Sequence, residues 1–114
     1  MNDLSKLTND DEAARERIES AAADMLARTC TWSDMNTGSW NIEGLNAFSG
    51  VLANAFSELD ADIRLQEAPG FETIDSSGNV QTVHTAPILR ASARTKAPVQ
   101  VVLTGHYDTV FPKG

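Results

Sequence analysis

Two residues with metal-binding chemistry, His106 and Asp108, stand close together after a long aliphatic run. The stretch that contains them, residues 101–112, is Val-Val-Leu-Thr-Gly-His-Tyr-Asp-Thr-Val-Phe-Pro. A neutral imidazole ligates zinc through one ring nitrogen, and a carboxylate on the other ring N–H fixes the tautomer and raises the basicity of the ligand. These residue types could therefore supply a metal ligand, His106, with Asp108 as its partner. The spacing leaves open whether the carboxylate reaches the ring, and a polar loop at the end of a strand has the same composition.

Other residues of reactive type are assigned simpler roles. His84 is interpreted as an exposed residue of a hairpin arm and is given no function. Cys30 has no His or Lys near it in the sequence to activate it, which favours a buried or idle thiol over a nucleophile. Trp32 and Trp40 flank a polar loop that they are expected to anchor by packing, with the lining of a substrate entrance as the other interpretation.

Composition sets the class of protein. The chain has 114 residues, of which 41% are hydrophobic and 22% charged, as in one globular domain or part of a larger one. A net charge of −7 opposes binding to nucleic acid or to an anionic membrane. The single cysteine excludes an intramolecular disulfide, and the acidic N-terminus does not resemble a signal peptide, so the cytoplasm is expected.

Two helices are predicted in the first half of the chain. Thr8 and Asp11 have the spacing of a capping box, which predicts a helix that begins near Asn9 and continues to about Cys30. Asn41 is the expected N-cap of a second helix. The apolar stripe of this helix is Leu45, Phe48, Leu52, Phe56 and Leu59. The loop residues Asn36, Thr37, Ser39 and Asn41 are interpreted as turn and cap chemistry before ligand binding.

Strands are predicted in the second half at residues 63–67 and 88–95, with a hairpin whose arms are residues 71–74 and 80–84. Residues 99–103, Val-Gln-Val-Val-Leu, have the pattern of a strand covered on both faces of an α/β sheet. His106 and Asp108 would then follow its carboxyl end, where open α/β sheets build their sites. The residues after Thr104 are too few for a crossover helix and another parallel strand, so the chain is expected to stop within the fold and, in isolation, to self-associate.

The segment Gly-His-x-Asp-Thr-Val at residues 105–110 resembles the first metal-binding motif of the co-catalytic zinc metallopeptidases. This family includes glutamate carboxypeptidases, aminoacylases, acetylornithine deacetylases and succinyl-diaminopimelate desuccinylases. Upstream, Asn36-Thr37-Gly38-Ser39-x-Asn41-x-x-Gly44 resembles the loop and helix start near the beginning of these enzymes. The resemblance covers residues 13–114.

This resemblance implies an α/β fold in which residues 1–114 are the N-terminal portion of a catalytic domain, with two helices followed by strands of a mixed sheet. An inserted lid or dimerisation domain and the rest of the catalytic domain would lie beyond Gly114, and a homodimer of the complete protein is left open. It also implies two zinc ions, with His106 as the first metal ligand and Asp108 as the catalytic-site acid that holds this histidine. The general base and the other ligands would lie downstream, so the chain alone is expected to be inactive.

The activity that the resemblance implies is zinc-dependent hydrolysis of amide bonds in small peptides or N-acyl amino acids by metal-activated water. The alternative from another class is a non-catalytic α/β binding or assembly module related to such enzymes. A downstream Glu-Glu pair would favour the enzyme, and its absence would favour the module. A metallophosphoesterase is disfavoured because residues 109–112 do not continue in the way that such a site requires.

Overall fold

The computed structural model describes residues 7–113, which form two compact units divided after Met35. The helices are α1 (Asn9–Ser20), α2 (Ala22–Ser33) and α3 (Ile42–Phe56). The strands are β1 (Asp62–Gln66), β2 (Phe71–Ile74), β3 (Val80–Val83) and β4 (Ile88–Ser92). The expected combination of helices followed by strands is confirmed. No helix in the described part of the chain is both long and apolar enough to cross a membrane.

The first unit contains α1 and α2. The capping box at the start of α1 is confirmed, with Thr8 Oγ1 accepting from the Asp11 N–H and the Asp11 carboxylate accepting from the Thr8 N–H. Within residues 7–35, the part of this unit that the structure describes, no residue of either helix is buried. Exposed helices of this kind depend on local interactions such as caps more than on packing.

The prediction of one helix to about Cys30 is wrong, because the helix is interrupted at Ala21. The Ser20 hydroxyl donates to the Arg17 carbonyl, which also accepts from the Ala21 N–H. The Ala21 N–H is shared with the Ile18 carbonyl, a tighter turn than that of an α-helix. A serine that bonds back to the preceding turn weakens helical continuity, and the apolar stripe does not report this competition.

The second unit is built around α3, which packs against β1 and β4. Its N-cap is Asn41, as predicted. Leu45 and Phe48 of the predicted stripe are buried, whereas Phe56, the last residue of α3, and Leu59, which lies beyond the helix, are exposed. The apolar core of this unit therefore lies under the first half of α3, the half nearest the candidate site.

The four strands form two separate antiparallel pairs, β1 with β4 and β2 with β3, instead of the one mixed sheet that was expected. In the first pair Ile63 lies opposite Ala91 and Leu65 opposite Leu89. β4 ends at Ser92, short of the predicted Thr95, because its partner β1 begins at the residue opposite Ser92. In the described residues, pairing therefore limits strand length more than composition does.

Residues 99–103 do not form the predicted buried strand. Val101 is 78% exposed and Leu103 is 92% exposed. A strand needs a neighbour for its backbone N–H and C=O groups, and among residues 7–113 the four strands pair only with one another. Residues 99–103 are therefore an exposed, mostly apolar segment outside any helix or strand, here called the apolar segment.

The apolar segment predicts concentration-dependent self-association of the 114-residue chain, because an exposed aliphatic run outside any helix or strand is a template for pairing between chains. Val101→Lys places a charge in the centre of the segment and is expected to shift the chain toward monomer. Sedimentation velocity over a range of concentrations measures this shift.

Ser76→Lys, at the exposed tip of the β2–β3 hairpin, adds the same charge elsewhere and is expected to leave the association unchanged. A wild-type chain that is monomeric at every concentration would contradict the prediction. Equal effects of the two lysines would show that net charge, and not the apolar segment, controls association.

Candidate metal-ligand site

A parallel backbone bridge joins the loop before α3 to the segment that follows His106. The Thr109 N–H donates to the Thr37 carbonyl at 2.8 Å, and the Ser39 N–H donates to the Thr109 carbonyl at 2.9 Å. Gly38 lies opposite Thr109 in this bridge, and Thr37 and Gly38 are both buried. We call residues 36–41 and 108–112, held together in this way, the clamp.

Two asparagine side chains complete the clamp. Asn36 Oδ1 accepts from the Gly38 N–H at 3.1 Å and from Asn41 Nδ2 at 2.9 Å, while Asn36 Nδ2 donates to the Pro112 carbonyl at 3.0 Å. Asn41 Oδ1 accepts from the Gly44 N–H at 3.2 Å and so caps α3. The interpretation of these side chains as turn and cap chemistry is confirmed, and the same bonds also attach the loop to residue 112.

Tyr107 fixes the backbone between His106 and Asp108 from another direction. Its ring lies 6.2 Å from the ring of Phe48, centroid to centroid, and its hydroxyl donates to the Pro87 carbonyl just before β4. Burial, followed by the negative charge of Asp108, raises the pKa of the Tyr107 phenol above its usual value, so it remains a neutral donor. The segment is thus held by α3 and β4 at residue 107 and by the clamp at residue 109.

His106 and Asp108 stand on either side of Tyr107 in the chain, and their side chains face each other. His106 Nδ1 lies 3.1 Å from Asp108 Oδ1 and 3.0 Å from the Asp108 carbonyl oxygen. Both neighbours are acceptors, so the neutral ring carries its proton on Nδ1 and leaves the lone pair on Nε2. The His106 side chain is 85% exposed, which leaves Nε2 accessible for ligation.

Ser39 holds the other oxygen of the Asp108 carboxylate. The Ser39 hydroxyl donates to Asp108 Oδ2 at 2.7 Å. This hydrogen bond is the largest influence on the pKa of Asp108, which it lowers below the usual value, and the contact with His106 lowers it further. Asp108 therefore stays an ionised acceptor under neutral conditions, which is the form that orients an imidazole.

The donor set tests whether zinc fits here. His106 and Asp108 have the arrangement of a histidine ligand with its outer carboxylate, but a catalytic zinc has about three protein ligands. Among residues 7–113, no three His, Cys, Asp or Glu side chains are close enough together to hold one ion. The described residues therefore bring together one histidine and one carboxylate, fewer groups than a catalytic zinc ion requires.

The remaining sequence candidates lie elsewhere. His84 is exposed after β3, as predicted, and Cys30 is exposed on α2. Trp32 lies beside Arg28 of its own helix, with the guanidinium 5.9 Å from the ring centroid. Trp40 is 77% exposed, so the prediction that it anchors the loop by packing is wrong. It lines an open groove of about 390 Å³ beside Ser39 and Phe111.

Sequence reasoning did not identify the contact of Ser39 with Asp108 or the anchoring role of Tyr107. The two partners of the first contact are 69 positions apart, and the Tyr107 hydroxyl reaches a residue 20 positions away. Periodicity and capping rules report contacts within a few residues, so neither signal covers these distances. Comparison of the chain with protein-family models, curated proteins and solved structures gives no match.

Gly38→Ala is expected to loosen the clamp. A Cβ at this position would overlap the Phe111 carbonyl oxygen, a backbone atom that cannot move without shifting the segment. Overpacking of this kind costs about 1–3 kcal/mol of the free energy of unfolding. Urea unfolding measures this loss.

Gly50→Ala is the matched control. Gly50 lies within α3 and has open space where its Cβ would be, so alanine should increase the free energy of unfolding by about 0.5–1 kcal/mol through helix propensity. If Gly38→Ala stabilised the chain as much as Gly50→Ala, the close contact of Gly38 with residue 111 would be refuted.

Proposed function

We propose that this chain is the N-terminal part of a zinc-dependent hydrolase that cleaves amide bonds of small peptides or N-acyl amino acids. The observation that carries the proposal is the pair formed by His106 and Asp108, in which Nδ1 meets the carboxylate and Nε2 is exposed. The Gly-His-x-Asp-Thr-Val sequence around this pair resembles that of the co-catalytic zinc metallopeptidases.

The roles of the two residues follow from their contacts. His106 would ligate the metal through Nε2, and Asp108 would fix the ring tautomer and strengthen the ligand by accepting the Nδ1 proton. When bound, zinc lowers the pKa of a water molecule and polarises a carbonyl, which is the chemistry that amide hydrolysis needs. Asp108 is thus a positioning residue in the proposed enzyme.

The ligand count defines what the rest of the protein must provide. With His106 as one ligand in the described residues, the remaining ligands of two zinc ions and the general base would come from sequence beyond Gly114. The 114-residue chain would therefore be inactive by itself. The open groove of about 390 Å³ beside Trp40 is also lined by Ser39. The single cysteine fits the reducing cytoplasm.

The second candidate is a non-catalytic α/β binding or assembly module. The apolar segment favours it, because five consecutive exposed residues outside any helix or strand offer an edge for another chain. In this alternative, the contact of His106 with Asp108 only stabilises the loop around Tyr107.

His106→Ala in the full-length protein separates the two candidates. Removal of a ligand should weaken zinc binding by more than the roughly 10- to 100-fold that loss of an outer partner costs, and hydrolysis of N-acyl amino acids and dipeptides should be lost with the metal. Metal analysis of the purified protein and amide-hydrolysis assays measure both effects.

His84→Ala replaces the other histidine of the chain, which lies after β3, and should leave zinc content and hydrolysis unchanged. A His106→Ala protein with full zinc content and activity would refute the enzyme assignment. A wild-type full-length protein that binds no zinc would favour the assembly module.

A further inference from the structure

The Ser39 hydroxyl has one proton and two acceptors within reach. Asp108 Oδ2 lies at 2.7 Å and the Thr109 carbonyl oxygen at 3.1 Å. A bond to an ionised carboxylate is shorter and stronger than one to a neutral carbonyl, so the proton belongs to the Asp108 bond. Ser39 therefore acts on the carboxylate more than on the backbone of the clamp.

The two oxygens of Asp108 are divided between two partners. Oδ2 accepts from Ser39, and Oδ1 faces His106 Nδ1 at 3.1 Å. A carboxylate held at one oxygen only can rotate about its side-chain torsions, whereas one held at both oxygens has a fixed plane. The serine hydroxyl thus determines where Oδ1 lies relative to the imidazole.

The clamp does not need this hydroxyl. The backbone bonds from Thr109 N–H to Thr37 O and from Ser39 N–H to Thr109 O use main-chain atoms alone. Tyr107, which anchors the other side of the segment, is held through Pro87 and Phe48. Removal of the hydroxyl therefore frees the carboxylate while the backbone stays in place.

We propose that Ser39 is a positioning residue whose hydroxyl holds the Asp108 carboxylate so that His106 keeps its proton on Nδ1 and presents Nε2 as the electron-pair donor. This inference deepens the proposed function, and its consequence for a metal rests on that function. The tautomer itself is a property of the metal-free chain and can be measured without zinc.

The test is ¹⁵N NMR of the imidazole nitrogens in the metal-free 114-residue chain, at a pH where both histidines are neutral. A free histidine side chain favours the Nε2–H tautomer, so a predominant Nδ1–H tautomer at His106 reports the two acceptors that face Nδ1. The Asp108 carbonyl oxygen is fixed by the backbone, and the position of the carboxylate depends on Ser39. Ser39→Ala should shift the tautomer ratio toward Nε2–H by roughly fivefold, the equilibrium shift that a typical hydrogen bond produces.

Two controls make the result decisive. Ser39→Thr keeps a hydroxyl and should retain the wild-type ratio, and His84, observed in the same spectra, should not change in any variant. The amide resonance of Thr109 reports whether the clamp has survived. If Ser39→Ala disturbs that amide, the comparison becomes Ser39→Thr against Ser39→Val, which have the same shape and differ in the hydroxyl alone.

An Nε2–H tautomer in the wild-type chain, or an equal ratio in the variants with and without the hydroxyl, would overturn the inference. Failure of the proposed function looks different. A full-length protein that shows the Nδ1–H tautomer and its dependence on Ser39 but binds no zinc would refute the hydrolase and leave the role of Ser39 established.

Discussion

The backbone pairing of Gly38 with Thr109 is the contact on which the candidate site depends. His106 and Asp108 lie in a segment without helix or strand, so no regular hydrogen-bond pattern fixes them. Their positions follow from two anchors, Tyr107 and the clamp at Thr109. The bridge closes the loop between Gly38 and Thr109. The entropic cost of closing a loop grows only with the logarithm of its length, so this long loop costs little more to close than a shorter one. A few well-placed hydrogen bonds therefore suffice to hold the site.

The clamp also explains why the loop before α3 has its particular residues. Asn36 and Asn41 together satisfy backbone groups of the loop, the first turn of α3 and residue 112. Gly38 and Gly44 allow the close approach, since a Cβ at either position would overlap a neighbouring carbonyl oxygen. Residues 36–41 have the composition of an ordinary turn, but they also hold residues 108–112. Composition alone does not distinguish these two roles.

The sequence predicts the local parts of this fold well and the pairing poorly. The capping box of α1, the Asn41 cap, β1 and the β2–β3 hairpin involve residues near one another, and all are found. At the Ala21 interruption the Ser20 hydroxyl and the Ala21 N–H share the Arg17 carbonyl, a contact that an apolar stripe does not report. The apolar segment shows most clearly what the sequence pattern does not predict. Its hydrophobicity indicates that residues 99–103 favour burial, but it does not indicate whether a neighbouring strand is present to bury them.

The apolar segment precedes the candidate site in the chain, yet the contacts that position the site do not involve it. The contacts described above that position His106 and Asp108 come from residues outside the apolar segment. They are Ser39 and Thr37 in the clamp, Phe48 on α3 and Pro87 before β4. Exposure of residues 99–103 therefore does not disturb the approach of His106 to Asp108. If the segment pairs with further strands in a larger protein, that pairing adds a sheet beside a histidine that is already oriented. The clamp and the Ser39 hydroxyl would then still set the direction of His106 Nε2, whichever groups the added strands bring near it.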